Sequence, residues 1–239
     1  RGVGGHARRA NTAKPSGRTW RDYCGASGAR RRLQDGAGGW TWSCTRTGPH
    51  WAPTAVSFWA LARARQAGLA VNADTLAKAQ TFLQNAFTAA AANDNDARAV
   101  ILHALSAVNA ADFANLNRLY RERNNISDSA IAYAALALVN IGRGEMAKEM
   151  TDLLLSKTKA RQVDGRSMIE IAGASGTPWL ADPVETSAVA LLALAKADPT
   201  NPKASEIAQY LLNARGCYGY RLGKSAGPAV AALAAWFGT

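Results

Sequence analysis

Asn93-Asp94-Asn95-Asp96 and Asp182-Pro183-Val184-Glu185 are two places where carboxylates stand close together in an alanine-rich chain. Asp94, Asp96 and Glu185, with Trp40, Trp42, Trp51 and Trp179 as flat platforms, are the parts from which a sugar-cleaving site could be assembled. Each acidic group also has a structural role available. Asp96 or Asn95 stands where a helix needs an N-cap, and Asp182, Pro183 and Glu185 follow the order of cap, first-turn proline and third-position glutamate. Cys24, Cys44 and Cys217 form no Cys-x-x-Cys pair, and His6, His50 and His103 are not spaced with a thiol or carboxylate as metal ligands are. No metal and no cofactor is expected. The thiols read as small buried hydrophobes, with one disulfide left open.

The net charge of +11 is concentrated at one end. Residues 1–35 carry nine Lys/Arg against two Asp, so the remainder is nearly neutral. Residues 1–32, rich in Gly, Arg and Ala and without periodicity, read as a basic, solvated or non-native extension, and residues 33–239 as one domain. Few aromatics alternate with the arginines, so no specific nucleic-acid site is expected. No apolar run reaches the eighteen residues of a membrane span, and no membrane insertion is expected. The chain opens on Arg1, not methionine. It is therefore read as a fragment or processed product, and shows no export signal.

The elements that must position these residues announce themselves by repetition. "TAVSFWALA" from Thr54, "SAIAYAALA" from Ser129 and "SAVALLALA" from Ser187 align without gaps, each opening on a hydroxyl and an alanine and closing on Ala-Leu-Ala. "RAVILHALS" from Arg98 and "AGPAVAALA" from Ala226 are weaker copies. Between them lie more charged helical patterns: Ala73 to Ala90, Phe113 to Arg123, Glu145 to Lys157 and Pro202 to Ala214. Asn201-Pro202 repeats the cap-and-proline device, and Gly68 and Gly142 stand where helices end. A helix apolar nearly all round must be surrounded by protein, whereas an amphipathic one can face water. Alternating the two predicts an all-α fold, an α/α toroid with alanine helices inside and charged helices outside. The unequal spacings of 44, 31, 58 and 39 residues suit a ring with insertions better than a linear solenoid.

"LQDGAGGWTWS", Leu33 to Ser43, then falls in the loop entering an inner helix, and "RGCYGYRLGKSAGPAV" from Arg215 enters the last one similarly. Gly38, Gly39, Trp40 and Trp42, and Gly216, Tyr218, Gly219 and Tyr220, are read as structural loop plugs, with Asp182, Pro183 and Glu185 as a helix start. No catalytic residue is assigned.

These segments, with "PWLADPVETSAVALLALAKADP", resemble the thioester domain of bacterial alpha-2-macroglobulin-like proteins over roughly Gln34 to Phe237. The resemblance implies a terpenoid-cyclase-like toroid in a broad-spectrum endopeptidase inhibitor of the periplasm, cell envelope or extracellular space. It also implies target proteases and other domains of the same protein as partners. In that family a cysteine is joined to a glutamine three residues on. Here Ser27, Thr47 and Tyr220 follow Cys24, Cys44 and Cys217 at that distance, so no thioester can form. The family's motif precedes the glycine-tryptophan loop, and five inner helices are visible where such a ring has six, so loss of the first hairpin is favoured over a thioester-less branch. An open ring edge would favour self-association.

The alternative is a toroid enzyme of the cyclase, prenyltransferase or polysaccharide-processing kind. The Asn-Asp-Asn-Asp run has asparagine where the cyclase acidic motif needs aspartate. Asp22-Tyr23-Cys24 matches the prenyltransferase zinc triplet in form, but lies in the basic segment. The two readings differ at the ring centre. An enzyme needs an acid-lined cavity there, and the inhibitor domain a filling of alanine and leucine.

Overall fold

The computed structural model describes residues 34–41, 48–216, 219–220 and 223–238. The chain is all-α. Among the described residues nine α-helices run as α1 Trp51–Gln66, α2 Ala73–Ala89, α3 Asn95–Ser106, α4 Phe113–Arg121, α5 Asp128–Asn140, α6 Gly144–Lys157, α7 Pro183–Ala197, α8 Lys203–Asn213 and α9 Gly223–Phe237. None is long and apolar enough to cross a membrane.

The two kinds of helix are separated by burial. On α5 every residue from Ser129 to Leu138 is buried, and on α7 every residue from Glu185 to Ala195. No stripe could produce that pattern, so these helices are enclosed on all sides. On α2, by contrast, only Leu76, Ala79 and Leu83 are buried, and on α4 only Leu116 and Leu119, the spacing of a single apolar seam. The packing follows from this. α1, α3, α5, α7 and α9 form one series in which each packs on the next. On the outside, α2 bridges α1 and α3, α4 bridges α3 and α5, α6 bridges α5 and α7, and α8 bridges α7 and α9. Alanine on the inner helices lets their backbones approach, and Phe58, Ile101, Ile131 and Leu138 fill the remaining space with almost no exposure.

The series has two ends, where the expectation of full enclosure fails. On α9 only Ser225, Pro228, Ala229 and Ala232 are buried, while Val230 and Phe237 are 62% and 71% exposed. No further helix among the described residues covers that side.

Caps and stops recur in register. Asn72, Asp94, Asp112, Ser127 and Asp182 each accept a backbone N–H of the first turn through a side-chain oxygen. The α3 cap is therefore Asp94, not Asn95 or Asp96. Asn201 accepts the Lys203 N–H at 3.1 Å, ahead of α8. Three inner helices end identically: Gly68, Asn109 and Gly142 take positive φ of 80°, 57° and 76°, and the next N–H reaches back to Ala64, Leu105 and Leu138. Asparagine tolerates that left-handed backbone better than other side-chain-bearing residues, which accounts for Asn109.

One element has no counterpart in the helical pattern. The long excursion between α6 and α7 holds a hairpin of β1 Arg161–Val163 and β2 Arg166–Met168, paired antiparallel. Its two-residue turn, Asp164 at φ 50° and Gly165 at φ 74°, has the double positive φ of a type I′ turn. It docks on α8, where the Ile169 N–H donates to the Glu206 carbonyl at 3.1 Å and the Ser167 hydroxyl to the Glu206 carboxylate at 2.7 Å.

Candidate functional site

The glycine-aromatic loop before α1 is clamped between helices. Gly38 has φ 93°, and a Cβ there would stand 2.4 Å from the Lys78 carbonyl oxygen; one at Gly39 would stand 2.6 Å from Pro49 and 2.9 Å from Phe82. Only glycine allows this approach. Gln34 donates to the carbonyls of Gly38 and Thr75 at 2.8 and 3.0 Å, fixing the turn to α2. Trp40 is buried and forms an antiparallel bridge with His50. The related loop before α9 closes through mutual backbone bonds of Gly216 and Gly219, with Gly219 at φ 101°, and the Tyr220 hydroxyl donates to the Leu211 carbonyl. Trp42, Tyr218 and all three cysteines lie outside the described residues, as do residues 1–32.

The hydroxyl that opens each strong repeat copy has one job at all three places. Thr54 Oγ1 accepts the Trp40 N–H at 2.8 Å, Ser129 Oγ the Ala174 N–H at 3.1 Å and Ser187 Oγ the Ile171 N–H at 3.0 Å. Each ties an adjoining loop to an inner helix through a backbone donor, which at Ala174 is shared with the Leu180 carbonyl at 3.0 Å. Sequence reading found the repeated hydroxyl but not this use, because the partners are remote in the chain.

Asp182, Pro183 and Glu185 begin α7, and here one expectation is corrected. Asp182 caps the helix through Val184 N–H and Oδ2 also accepts the Ser225 hydroxyl of α9. Glu185 does not reach back to the cap. Its Oε1 accepts the Tyr133 hydroxyl at 2.7 Å and its Oε2 pairs with the Lys224 ammonium, which also donates to the Trp179 carbonyl and lies 5.8 Å from the centre of that indole ring. A cation and a hydroxyl out-compete a backbone N–H for a buried carboxylate. Burial pushes the Glu185 carboxyl above its usual range, against the pull of Lys224 and the Tyr133 bond. Burial, with the Glu185 charge adding to it, raises the Tyr133 phenol well above its ordinary value.

His103 completes this axis. Its ring lies 5.2 Å from the rings of both Trp59 and Tyr133, it is 3% exposed, and its Nε2 has no hydrogen-bond partner among the described residues. Burial drives its pKa down to about 3, with Lys196 contributing, so the ring is neutral.

The centre is thus polar on one side and not filled by alanine and leucine alone. The cavity it encloses, lined by Trp59, His103, Tyr133, Glu185 and Pro228 among others, measures about 20 Å³. That is room for about one water molecule, far below a sugar or prenyl group. Asp96 is no freer, since it accepts the hydroxyls of Ser127 and Thr177. Among the described residues no cluster of His, Cys, Asp and Glu could hold a metal ion.

No protein-family profile and no curated protein matches the chain. Solved structures do. The fold superposes on the native conformation of Escherichia coli alpha-2-macroglobulin with a TM-score of 0.60 and 18% identity over 85% of this chain and 13% of that one. A structure of the C-terminal part of the E. coli protein gives 0.61 and 19% over 87% and 33%. Salmonella alpha-2-macroglobulin reacted with methylamine gives 0.62 and 17% over 87% and 14%. The likeness is one of fold, and the chain spans at most a third of the proteins it resembles.

Proposed function

We infer that the chain is a thioester-type domain of a macroglobulin-like protease inhibitor, lacking the thioester residues and acting as a binding and structural domain without catalysis. One observation carries the reading. An alternating series of inner and outer helices, tied to their adjoining loops by the repeated hydroxyls, superposes over most of its length on bacterial alpha-2-macroglobulins. The α/α toroid is the architecture this reading assigns to the series. In it the partners are other domains of the same protein and, through them, target proteases. The location that goes with this role is the periplasm, cell envelope or extracellular space.

The test is chemical. Incubated with methylamine, and separately with trypsin, the chain is expected to keep its intact mass and to give no denaturation-resistant adduct. A mass gain of one methylamine, or a covalent trypsin adduct, would overturn the thioester-less reading. Turnover of a prenyl diphosphate or a glycan would overturn the non-enzymatic one.

A further inference from the structure

The end of the inner series opposite Glu185 opens into a cavity of about 210 Å³, to which all five inner helices contribute. Its walls are built by residues one turn apart: Leu136 and Asn140 on α5, Leu192 and Lys196 on α7, Ala231 and Ala235 on α9. Leu136 and Leu192 are buried while Asn140 and Lys196 are more exposed, so an apolar throat of Leu136, Leu192, Ala231 and Trp59 widens into a polar mouth.

Two cations stand at that mouth, Arg63 of α1 and Lys196 of α7. Neither forms an ion pair among the described residues. Lys196 donates to Asn140 Oδ1 at 3.1 Å and Arg63 to Gln66 Oε1 at 3.3 Å, both neutral acceptors. Burial holds the Lys196 ammonium below its usual value, and the Arg63 charge pushes it the same way. Cations near helix C-termini also meet the negative end of the helix dipole, an effect that is small at an exposed site. That effect does not explain the direction of Lys196, which reaches across to a neighbouring helix instead of over its own last carbonyls. Like charges gathered at one opening without a counter-ion cost free energy that a bound anion would relieve.

We propose that this mouth binds a carboxylate, held between Arg63 and Lys196, whose attached apolar group enters the throat between Leu136 and Leu192. Asn140 and Ser106 fix the geometry from below: the Ser106 hydroxyl donates to the His103 carbonyl at 2.6 Å and accepts from Asn140 Nδ2 at 3.0 Å. Asn140 Oδ1 is thereby turned toward Lys196. The cavity accommodates a small aromatic or branched aliphatic acid, or a glutamate side chain presented by another polypeptide. This site is independent of the macroglobulin reading and survives its failure.

The experiment is a titration of the full chain with benzoate, followed by calorimetry and by the side-chain amide resonances of Asn140 and Gln66. Saturable binding is expected. Lys196→Gln and Arg63→Gln should each weaken it about tenfold, the scale of one charge-assisted hydrogen bond, and the double variant should abolish it. Neither residue belongs to the buried core, so unchanged circular dichroism is expected to show that the variants fold. Benzyl alcohol, of similar shape without charge, should not saturate. A glutamate-containing hexapeptide and its glutamine counterpart separate the sources: tighter binding of the acidic peptide than of benzoate assigns the mouth to a polypeptide carboxylate, and the reverse to a free acid. Failure of both to saturate, equal binding of benzyl alcohol, or undiminished binding by the double variant overturns the proposal.

Discussion

The backbone N–H of Trp40 is held by the hydroxyl of Thr54, fourteen residues on, at 2.8 Å in a fully buried setting, and that hydroxyl in turn donates to the His50 carbonyl at 2.7 Å. The pair joins the glycine loop to the first turn of α1. Thr54→Val keeps the shape and removes the buried acceptor of the Trp40 N–H. A loss of about 1–3 kcal/mol is expected. Urea unfolding should show a lower midpoint with an unchanged slope, and Ser129→Ala should cost less, because the Ala174 N–H keeps its bond to the Leu180 carbonyl at 3.0 Å.

Gly38 and Gly68 separate conformational strain from collision. Both have positive φ, but a Cβ at Gly68 meets nothing within 4 Å, whereas one at Gly38 meets the Lys78 carbonyl at 2.4 Å. Gly68→Ala is expected to cost about 1–2 kcal/mol from the left-handed backbone alone. Gly38→Ala should cost clearly more. Thermal or urea melts of the two variants give the comparison, and equal losses would refute the clamped-loop account.

Lys224 and Glu185 form a pair whose side chains are 19% and 3% exposed. Removing one partner strands the other charge, so Lys224→Met is expected to cost about 3–5 kcal/mol. The double variant Glu185→Leu with Lys224→Met should recover much of that. Because Lys224 is the largest influence holding the Glu185 carboxyl down, Lys224→Met should raise its titration further. Carbon NMR of the glutamate carboxyl reads the shift directly.

His103 sets an acid limit on stability. Its folded pKa of about 3 lies below the unfolded 6.5, so the unfolded chain binds the extra proton first. The stability it confers is complete above pH 6.5 and declines as pH falls from 6.5 toward 3, by on the order of 5 kcal/mol in total. His103→Phe keeps a ring between Trp59 and Tyr133 and should flatten this limb. An unaltered pH dependence of the unfolding midpoint in that variant would rule the histidine out.

The uncovered side of α9 repeats at helical spacing through Gly227, Val230, Ala234 and Phe237, all exposed. Concentration-dependent self-association is expected, with Val230→Lys reducing it. Sedimentation velocity across a range of concentrations measures both. A monomer at all concentrations would contradict the expectation.

The sequence made the helical series legible because its signal is self-similarity. Five windows share Ala-Leu spacing, and the flanking caps at Asp182 and stops at Gly68 and Gly142 are local chemistry. What escaped was non-local. Glu185 reads as the third residue of a capping box until α5 and α9 bring Tyr133 and Lys224 to it. Asp96 reads as a cap until Ser127 and Thr177 claim both its oxygens, leaving that role to Asp94. The carboxylate-free mouth was invisible because Arg63 and Lys196 are 133 positions apart. The hairpin, however, was missed in spite of a local signal: Asp164-Gly165 is the dipeptide a type I′ turn favours.

That hairpin has a bearing on how the domain tolerates growth. Downstream of it the chain is pinned at Ile171 by Ser187 and at Ala174 by Ser129, so the helices receive a segment whose ends are already held. Extra residues spliced at Asp164–Gly165 would lengthen an overhang and leave the pinned stretch in register. The fold thus carries a built-in place at which new surface can be added without renegotiating the core.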